Sequence, residues 1–191
     1  AGQTILLDVS PPKLKAIIIE GALIFDDANI NLDCDYIMIR NGRLQIGTWE
    51  NPIQSKITVT LHGTKDTPQL PSFGNKVIAM MEGILDIHGQ KRSHTWTMLD
   101  STAAVGATSI VVQEDVDWKV GEQIVIASTD HDHYQSEPRT ISAVTPGSGT
   151  TTLSFTDPLK FRHYAGVQNI NGARFEMRAE VGLLTRKVVI Q

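Results

Sequence analysis

The chain has 191 residues, room for one domain or two small ones. Hydrophobic residues make up 41% and charged residues 20%, enough apolar material for a core and too little charge for a disordered tail. Seventeen basic residues against 21 acidic ones give a net charge of −4, with neither the basic excess nor the basic stripe of a nucleic-acid binder.

No apolar run approaches the ~18–20 residues of a membrane span. The longest aliphatic runs, Ala16–Ile19 among them, are four residues. No basic-then-apolar leader opens the chain, so a mature segment or an excised domain is expected. A single cysteine, Cys34, excludes an internal disulfide framework and a multi-cysteine zinc finger. No Asn-x-Ser/Thr sequon is present, so nothing in the residues demands a secreted setting.

The first half carries a repeat. Gly21, Gly42, Gly63 and Gly83 are spaced by 21, 21 and 20 residues. Three of them open similar phrases: Gly21-Ala22-Leu23-Ile24-Phe25, Gly42-Arg43-Leu44-Gln45-Ile46 and Gly83-Ile84-Leu85-Asp86-Ile87. The fourth, Gly63-Thr64, lacks the apolar follow-on. Between the glycines lie β-type runs at Ala16–Ile19, Tyr36–Ile39, Lys56–Leu61 and Lys76–Met81. Ile57-Thr58-Val59-Thr60-Leu61 alternates apolar and polar, as does Ile30–Asp35, the period of a half-buried strand. A turn every twenty-odd residues with strands between is what a β-solenoid requires. An antiparallel meander with evenly spaced turns fits the same spacing.

From Trp96 to Phe161 the strands are short: Ser109–Gln113, Gln123–Ser128, Thr140–Val144 and Thr151–Phe155. Turn signals at Val120-Gly121-Glu122 and Pro146-Gly147-Ser148-Gly149 separate them, which predicts a small antiparallel sheet or barrel with a hairpin around Gly147. Strand-like segments return at Phe175–Val181 and Val188–Ile190, and the last meets no stop signal, so the chain is expected to continue. Helix is scarce, with at most one turn at Thr102–Ala107. The expected fold is all-β: a right-handed parallel β-helix-like solenoid (about 1–95) with a small antiparallel insert (about 96–161), then a return to the solenoid (about 162–191). The handedness comes from the family resemblance described below.

The densest polar cluster runs from Ser128 to Glu137. On an extended strand, His131 and His133 point the same way and can present two imidazoles to one Zn²⁺. Asp130 and Asp132 then point to the opposite face. The alternative is a solvated loop whose Ser, Thr and Asp side chains bond local backbone. His62, His88, His94 and His163 stand singly and read as structural. No phosphate loop, Gly-x-Ser-x-Gly elbow or His-Glu-x-x-His motif appears, and no cofactor is implied. A carboxylate pair for glycoside chemistry stays open, because such pairs meet in space. Glu176, Arg178 and Glu180 share one strand face as a charge ladder. Trp49, Trp96 and Trp118 read as packing residues.

Several phrases together resemble the G8 domain, a module named for its glycines. They are Leu7-Asp8-Val9-Ser10-Pro11-Pro12, Ile19–Phe25, Asp117–Asp130, Gln135-Ser136-Glu137 and Met177–Arg186. The residues that carry the pattern are Gly21, Gly42, Gly63, Gly83, Gly121, Asp130, Gln135, Glu137 and Gly182. The resemblance covers almost the whole chain. It implies an extracellular module of a cell-surface, receptor-like protein that leads into right-handed parallel β-helix repeats. Some members bind or cleave hyaluronan, with activity that depends on the following β-helix. The expected partners are therefore an extracellular glycan or protein ligand and the β-helix repeats that follow, with no nucleic acid and no membrane contact by this segment. The acidic balance disfavours long-range attraction to a polyanion, although Arg174, Arg178, Arg186 and Lys187 can form a local basic patch. Three readings follow: a non-enzymatic ligand-binding or adhesion module, part of a hyaluronan-degrading enzyme, or a structural cap for a β-helix.

Overall fold

A computed structural model of the chain describes residues 2–191. The fold is all-β, as the residue patterns indicate. Sixteen strands are formed among the described residues, and the one helical element is a three-residue 3-10 turn at His133–Gln135. The segment Thr102–Ala107 forms turns without a helix. The strands fall into two compact units: the chain up to Lys91 together with Arg186–Gln191, and Arg92–Thr185.

The first unit is a parallel sheet of β1 (Thr4–Leu7), β2 (Leu14–Ile19), β3 (Ala22–Phe25), β4 (Ile30–Ile46), β5 (Ile57–Leu61), β6 (Ile78–Ile87) and the last strand, β16 (Val188–Ile190). The registers of β2, β3 and β6 on β4 follow the glycine spacing, taken once or twice. Leu23 lies opposite Leu44, and Leu44 opposite Leu85. In the same way Ile17 pairs with Ile37, and Ile37 with Ile78. Ile30 pairs with Ile57, and Ile57 with Val188.

β4 shows how one long strand serves the core of this unit. Its buried residues are Ile30, Leu32 and Cys34, then Ile37 and Ile39, then Leu44 and Ile46. Side chains alternate across a strand, so an even-to-odd-to-even switch means that the strand bends twice while keeping its apolar stripe on one side. The second bend falls where the pairing with β6 slips at Arg40, beside Asn41 with a φ of 54°.

Gly42 is required at that bend. A Cβ there would stand 2.5 Å from the Ile19 carbonyl oxygen and 2.8 Å from that of Gly21. Gly83 pairs with Gly42, and its Cβ would stand 2.3 Å from the Gly42 carbonyl oxygen. Gly21 is blocked in the same way by Gln3. Three of the four periodic glycines thus form a column in which backbone touches backbone. Gly63 stands outside it, against the backbone of Lys76. It is the glycine whose phrase lacks the apolar follow-on. Ile57, Val59 and Leu61 are buried while Thr58 and Thr60 are half-buried, as the alternation requires.

In the second unit, every strand pair is antiparallel. Its strands are β7 (Trp96–Met98), β8 (Ser109–Gln113), β9 (Gln123–Ile126), β10 (Glu137–Thr140), β11 (Ala143–Pro146), β12 (Thr150–Ser154), β13 (Ala165–Ile170), β14 (Ala173–Arg178) and β15 (Glu180–Leu183). They make a four-stranded sheet in the order β10-β9-β15-β7, a three-stranded sheet β11-β12-β8, and a separate ribbon β13-β14. The hairpin around Gly147 joins β11 and β12, with the Gly147 N–H donating to the Thr150 carbonyl at 2.8 Å. Val112, Ile124, Ile126, Leu153 and Val181 are among the fully buried core residues.

The segment 162–185, expected to rejoin the first half, lies in this second unit. The reason is β15, which sits between β9 and β7 and buries Val181 and Leu183 in the antiparallel core. The expected strand Phe175–Val181 is interrupted at Ala179, where β14 ends and β15 begins. Of the three tryptophans only Trp118 is a packing residue, with its indole N–H donating to the His94 carbonyl at 2.8 Å. Trp49 and Trp96 are exposed, and the Lys91 ammonium lies 3.5 Å from the Trp49 ring centre.

Candidate ligand-binding cleft

The polar cluster after β9 folds on itself. The Ser128 hydroxyl donates to the Asp132 carbonyl at 2.8 Å. Asp130 accepts from the His131 N–H at 2.7 Å, and Asp132 accepts from the Tyr134 N–H at 2.9 Å. The Asp132 side chain caps the 3-10 turn that begins at His133, and with bends at Asp130 and His131 the segment lacks the strand geometry expected for a shared metal. The His131 ring is 97% exposed and lies 2.6 Å from the Asp130 carboxylate. The His133 ring lies against Tyr134, with centres 4.0 Å apart. Among the described residues, no group of three or more His, Cys, Asp or Glu side chains converges as a metal site. Cys34 is buried, and burial pushes its thiol up to about 11, which makes it a packing group rather than a nucleophile.

Beneath this loop lies a buried polar node. Glu137, at the start of β10, is 4% exposed. Its carboxylate accepts from the N–H groups of Lys160 and Phe161, each at 2.9 Å, from Arg139 at 2.5 Å, and bonds His163 Nε2 at 3.1 Å. Burial alone would raise its pKa. The backbone donors, His163 and Arg139 outweigh burial and hold it at about 2. His163 is fully buried, and its Nδ1 lies 2.8 Å from the Ala127 carbonyl. The node therefore ties the end of β9, the start of β10 and the segment 160–163 together.

The two neighbours of His163, Arg162 and Tyr164, project beside the ribbon β13-β14. There they bound a cleft of about 700 Å³. Asp130 and Gln135 stand on one side of it, and Ile170, Met177 and Arg178 on the ribbon side. The Arg162 guanidinium lies over the Tyr164 ring at 5.2 Å. The Gln168 amide bonds the Tyr164 hydroxyl. The carboxylate of Asp130 is held below the usual range, chiefly by the His131 backbone N–H. Arg178 pairs with Glu176 and donates to the Leu99 carbonyl at 2.9 Å and to that of Asp100, so its charge is committed within the fold.

The residues of the expected basic patch fall in both units. Arg174 and Arg178 belong to the second unit, Arg186 and Lys187 to the first, where Lys187 helps to lower the pKa of Asp27. Of these four, Arg178 lines the cleft. The pattern residues Asp130 and Gln135 also line it, and Glu137 lies in the node beneath. Gly121 makes a turn at a φ of 85°, and Gly182 sits in β15 opposite Val125 and Trp96. Arg162, Tyr164 and Gln168 escaped the sequence reading. The one local signal for them was Asn171-Gly172, a two-residue hairpin turn that announces the ribbon.

Comparison with known proteins gives a consistent answer. The sequence profile of the G8 domain matches residues 1–100. The chain is 45% identical over 193 residues to human fibrocystin-L, covering all of this chain and 4% of that protein. It is 46% identical over 195 residues to mouse fibrocystin-L, with the same coverage. A G8 domain-containing protein of Dictyostelium discoideum is 35% identical over 175 residues, 88% of this chain and 11% of that one. The chain thus spans a small fraction of the curated relatives it matches. It belongs to the G8 domain family.

Proposed function

We propose that the chain is a non-enzymatic, extracellular ligand-binding module of a large cell-surface protein similar to fibrocystin-L. The observation that carries this reading is the cleft of about 700 Å³ between the loop at Asp130 and the ribbon β13-β14. Its chemistry is that of a binding site rather than a glycosidase. A glycosidase needs a carboxylic acid that still holds its proton, ~5–10 Å from a second carboxylate. Asp130 is kept ionised by the His131 N–H, and Glu176 is engaged by Arg178. The extracellular setting rests on the likeness to fibrocystin-L. No helix among the described residues is long and apolar enough to cross a membrane. The test is incubation with sized hyaluronan between pH 4 and 8, with and without Ca²⁺, read as both binding and polymer length. Unchanged length is expected, and shortened polymer overturns the non-enzymatic reading.

A second, compatible reading concerns the first unit, which we infer opens a right-handed parallel β-helix. The parallel registers, the glycine column and the seating of β16 on β5 support it. The apolar side chains exposed on β6, Met80, Met81, Ile84 and Leu85, suit a further turn of chain supplied by the repeats that follow. Extending the chain by one such turn should raise the unfolding midpoint of the first unit. An unchanged midpoint counts against it.

A further inference from the structure

We propose that the cleft receives an extended, acidic segment of a partner polypeptide, added as a third strand along the outer edge of β14. The proposal rests on the ligand-binding reading above and names the class of ligand.

The ribbon β13-β14 pairs with no other strand among the described residues. Its turn has Asn171 and Gly172 at φ values of 51° and 82°, the two-residue geometry that makes Ile170 and Ala173 a hydrogen-bonded pair. Hydrogen-bonded and open pairs then alternate along the ribbon. The backbone groups of Arg174 and Glu176 consequently point away from β13. On the other edge, Thr102 bonds both the N–H and the carbonyl of Ala165, at 3.0 and 3.1 Å, and takes up part of that side. The cleft touches three successive residues of β14: Glu176, Met177 and Arg178. The cleft also touches Gln168 and Ile170 of β13, so it spans the ribbon and extends to β14, the strand with the open edge. An open strand edge presents main-chain donors and acceptors at every second residue. Another extended backbone matches that spacing in register, which a sugar chain does not.

Side chains add selectivity. One face of the ribbon carries Ile170, Phe175 and Met177, 51%, 47% and 47% exposed. A two-stranded ribbon is marginally stable alone, and an added strand would cover apolar surface that is now wet. The sign of the ligand follows from which charged groups are already engaged. The Asp130 carboxylate is turned onto the His131 backbone N–H, and that of Glu176 onto Arg178. Arg162 lies over Tyr164 and forms no ion pair among the described residues. It is the cleft's uncommitted cation, and a carboxylate beside an apolar residue of the ligand complements it.

The test pans a random twelve-residue peptide phage library on the immobilised chain. Enriched peptides are then titrated by fluorescence anisotropy. Expected are sequences with an acidic residue among alternating apolar ones. Their affinity should fall at least tenfold for Arg162→Glu, an exposed position whose replacement spares the core, and at least tenfold when backbone N–H groups of one alternating set are N-methylated but not the other. No enrichment, or binding indifferent to both changes, overturns the proposal. A hyaluronan decasaccharide is titrated in parallel. If it alone binds, with the same dependence on Arg162, the cleft is a ligand site and the peptide assignment is wrong. If neither probe binds, the ligand-binding reading falls with it.

Discussion

Glu137→Gln tests the node that holds the cleft together, because it removes a charge and almost no volume. The folded pKa of Glu137 is about 2 against an ordinary value of 4.5. A group whose pKa is lowered by folding stabilises the fold above the unfolded value, and that stability is lost as the pH falls toward the folded one. The shift corresponds to about 3 kcal/mol above pH ~5.5, about half that at pH ~3, and nearly nothing at pH ~2. Glutamine cannot reproduce this. Its one oxygen replaces two, and its amide N–H groups face the donors of Lys160 and Phe161. A pH-independent cost of ~1–3 kcal/mol is added for the donors left unpaired. Trp118, buried in the second unit, reports on unfolding once Trp49 and Trp96 are replaced by Phe. Urea unfolding of the two proteins should give a stability gap that is constant from pH 7 to about 5.5 and narrower by roughly 1–2 kcal/mol at pH 3. Other carboxylates titrate equally in both proteins and cancel in the gap. A gap unchanged from pH 7 to pH 3 would refute the charge-stabilised node.

Three further outcomes follow from the geometry. Val59→Asp should cost about 3–5 kcal/mol by burying an unpaired charge, while Thr58→Asp next to it costs under ~1 kcal/mol; equal thermal shifts would sink the assignment of faces. Gly42→Ala should cost about 1–3 kcal/mol because its Cβ meets the Ile19 and Gly21 carbonyls, whereas Gly182→Ala, with Val125 at 3.6 Å, should be nearly neutral; matching melting curves for the two would contradict the column. Calorimetric titration with Zn²⁺ should give no submicromolar binding, since a bend at His131 and a 3-10 turn from His133 take the two rings out of strand geometry; a tight signal lost on replacing both histidines would reinstate the metal.

The parts of the fold that sequence revealed are those where a residue type is forced by hard contact or by burial. Gly21, Gly42 and Gly83 sit one and two periods apart because each backbone touches the next, and no other side chain fits. The stripe Ile57, Val59, Leu61 is legible because one face is sealed. Gly63 shares the spacing but meets the Lys76 backbone outside the column, and spacing alone cannot tell the two apart. The clue was the missing apolar residue two positions on. His131 and His133 are a different case. Alternation predicts side-chain direction only while the backbone stays extended, and the bends at Asp130 and His131 and the 3-10 turn from His133 interrupt it.

The cleft was hidden because its walls come from segments around Asp130, Arg162 and Met177 that have no common period. Density of charge along the chain drew attention to Arg174, Arg178, Arg186 and Lys187. What matters for binding is which cation is already spent. Arg178 sits in the cleft, yet it is spent on Glu176 and on the carbonyls of Leu99 and Asp100. Removing it should loosen the attachment of β14 before it weakens any ligand. Arg162 lies apart from those four, flanked by Phe161 and the buried His163. The Glu137 node fixes that backbone from both sides, so the exposed guanidinium is carried on a rigid base. A cation that is free to pair but fixed in place loses little conformational freedom when a carboxylate arrives. Separate measurements of fold stability and ligand affinity should therefore divide the two arginines: Arg178→Ala lowers stability, and Arg162→Ala lowers affinity alone.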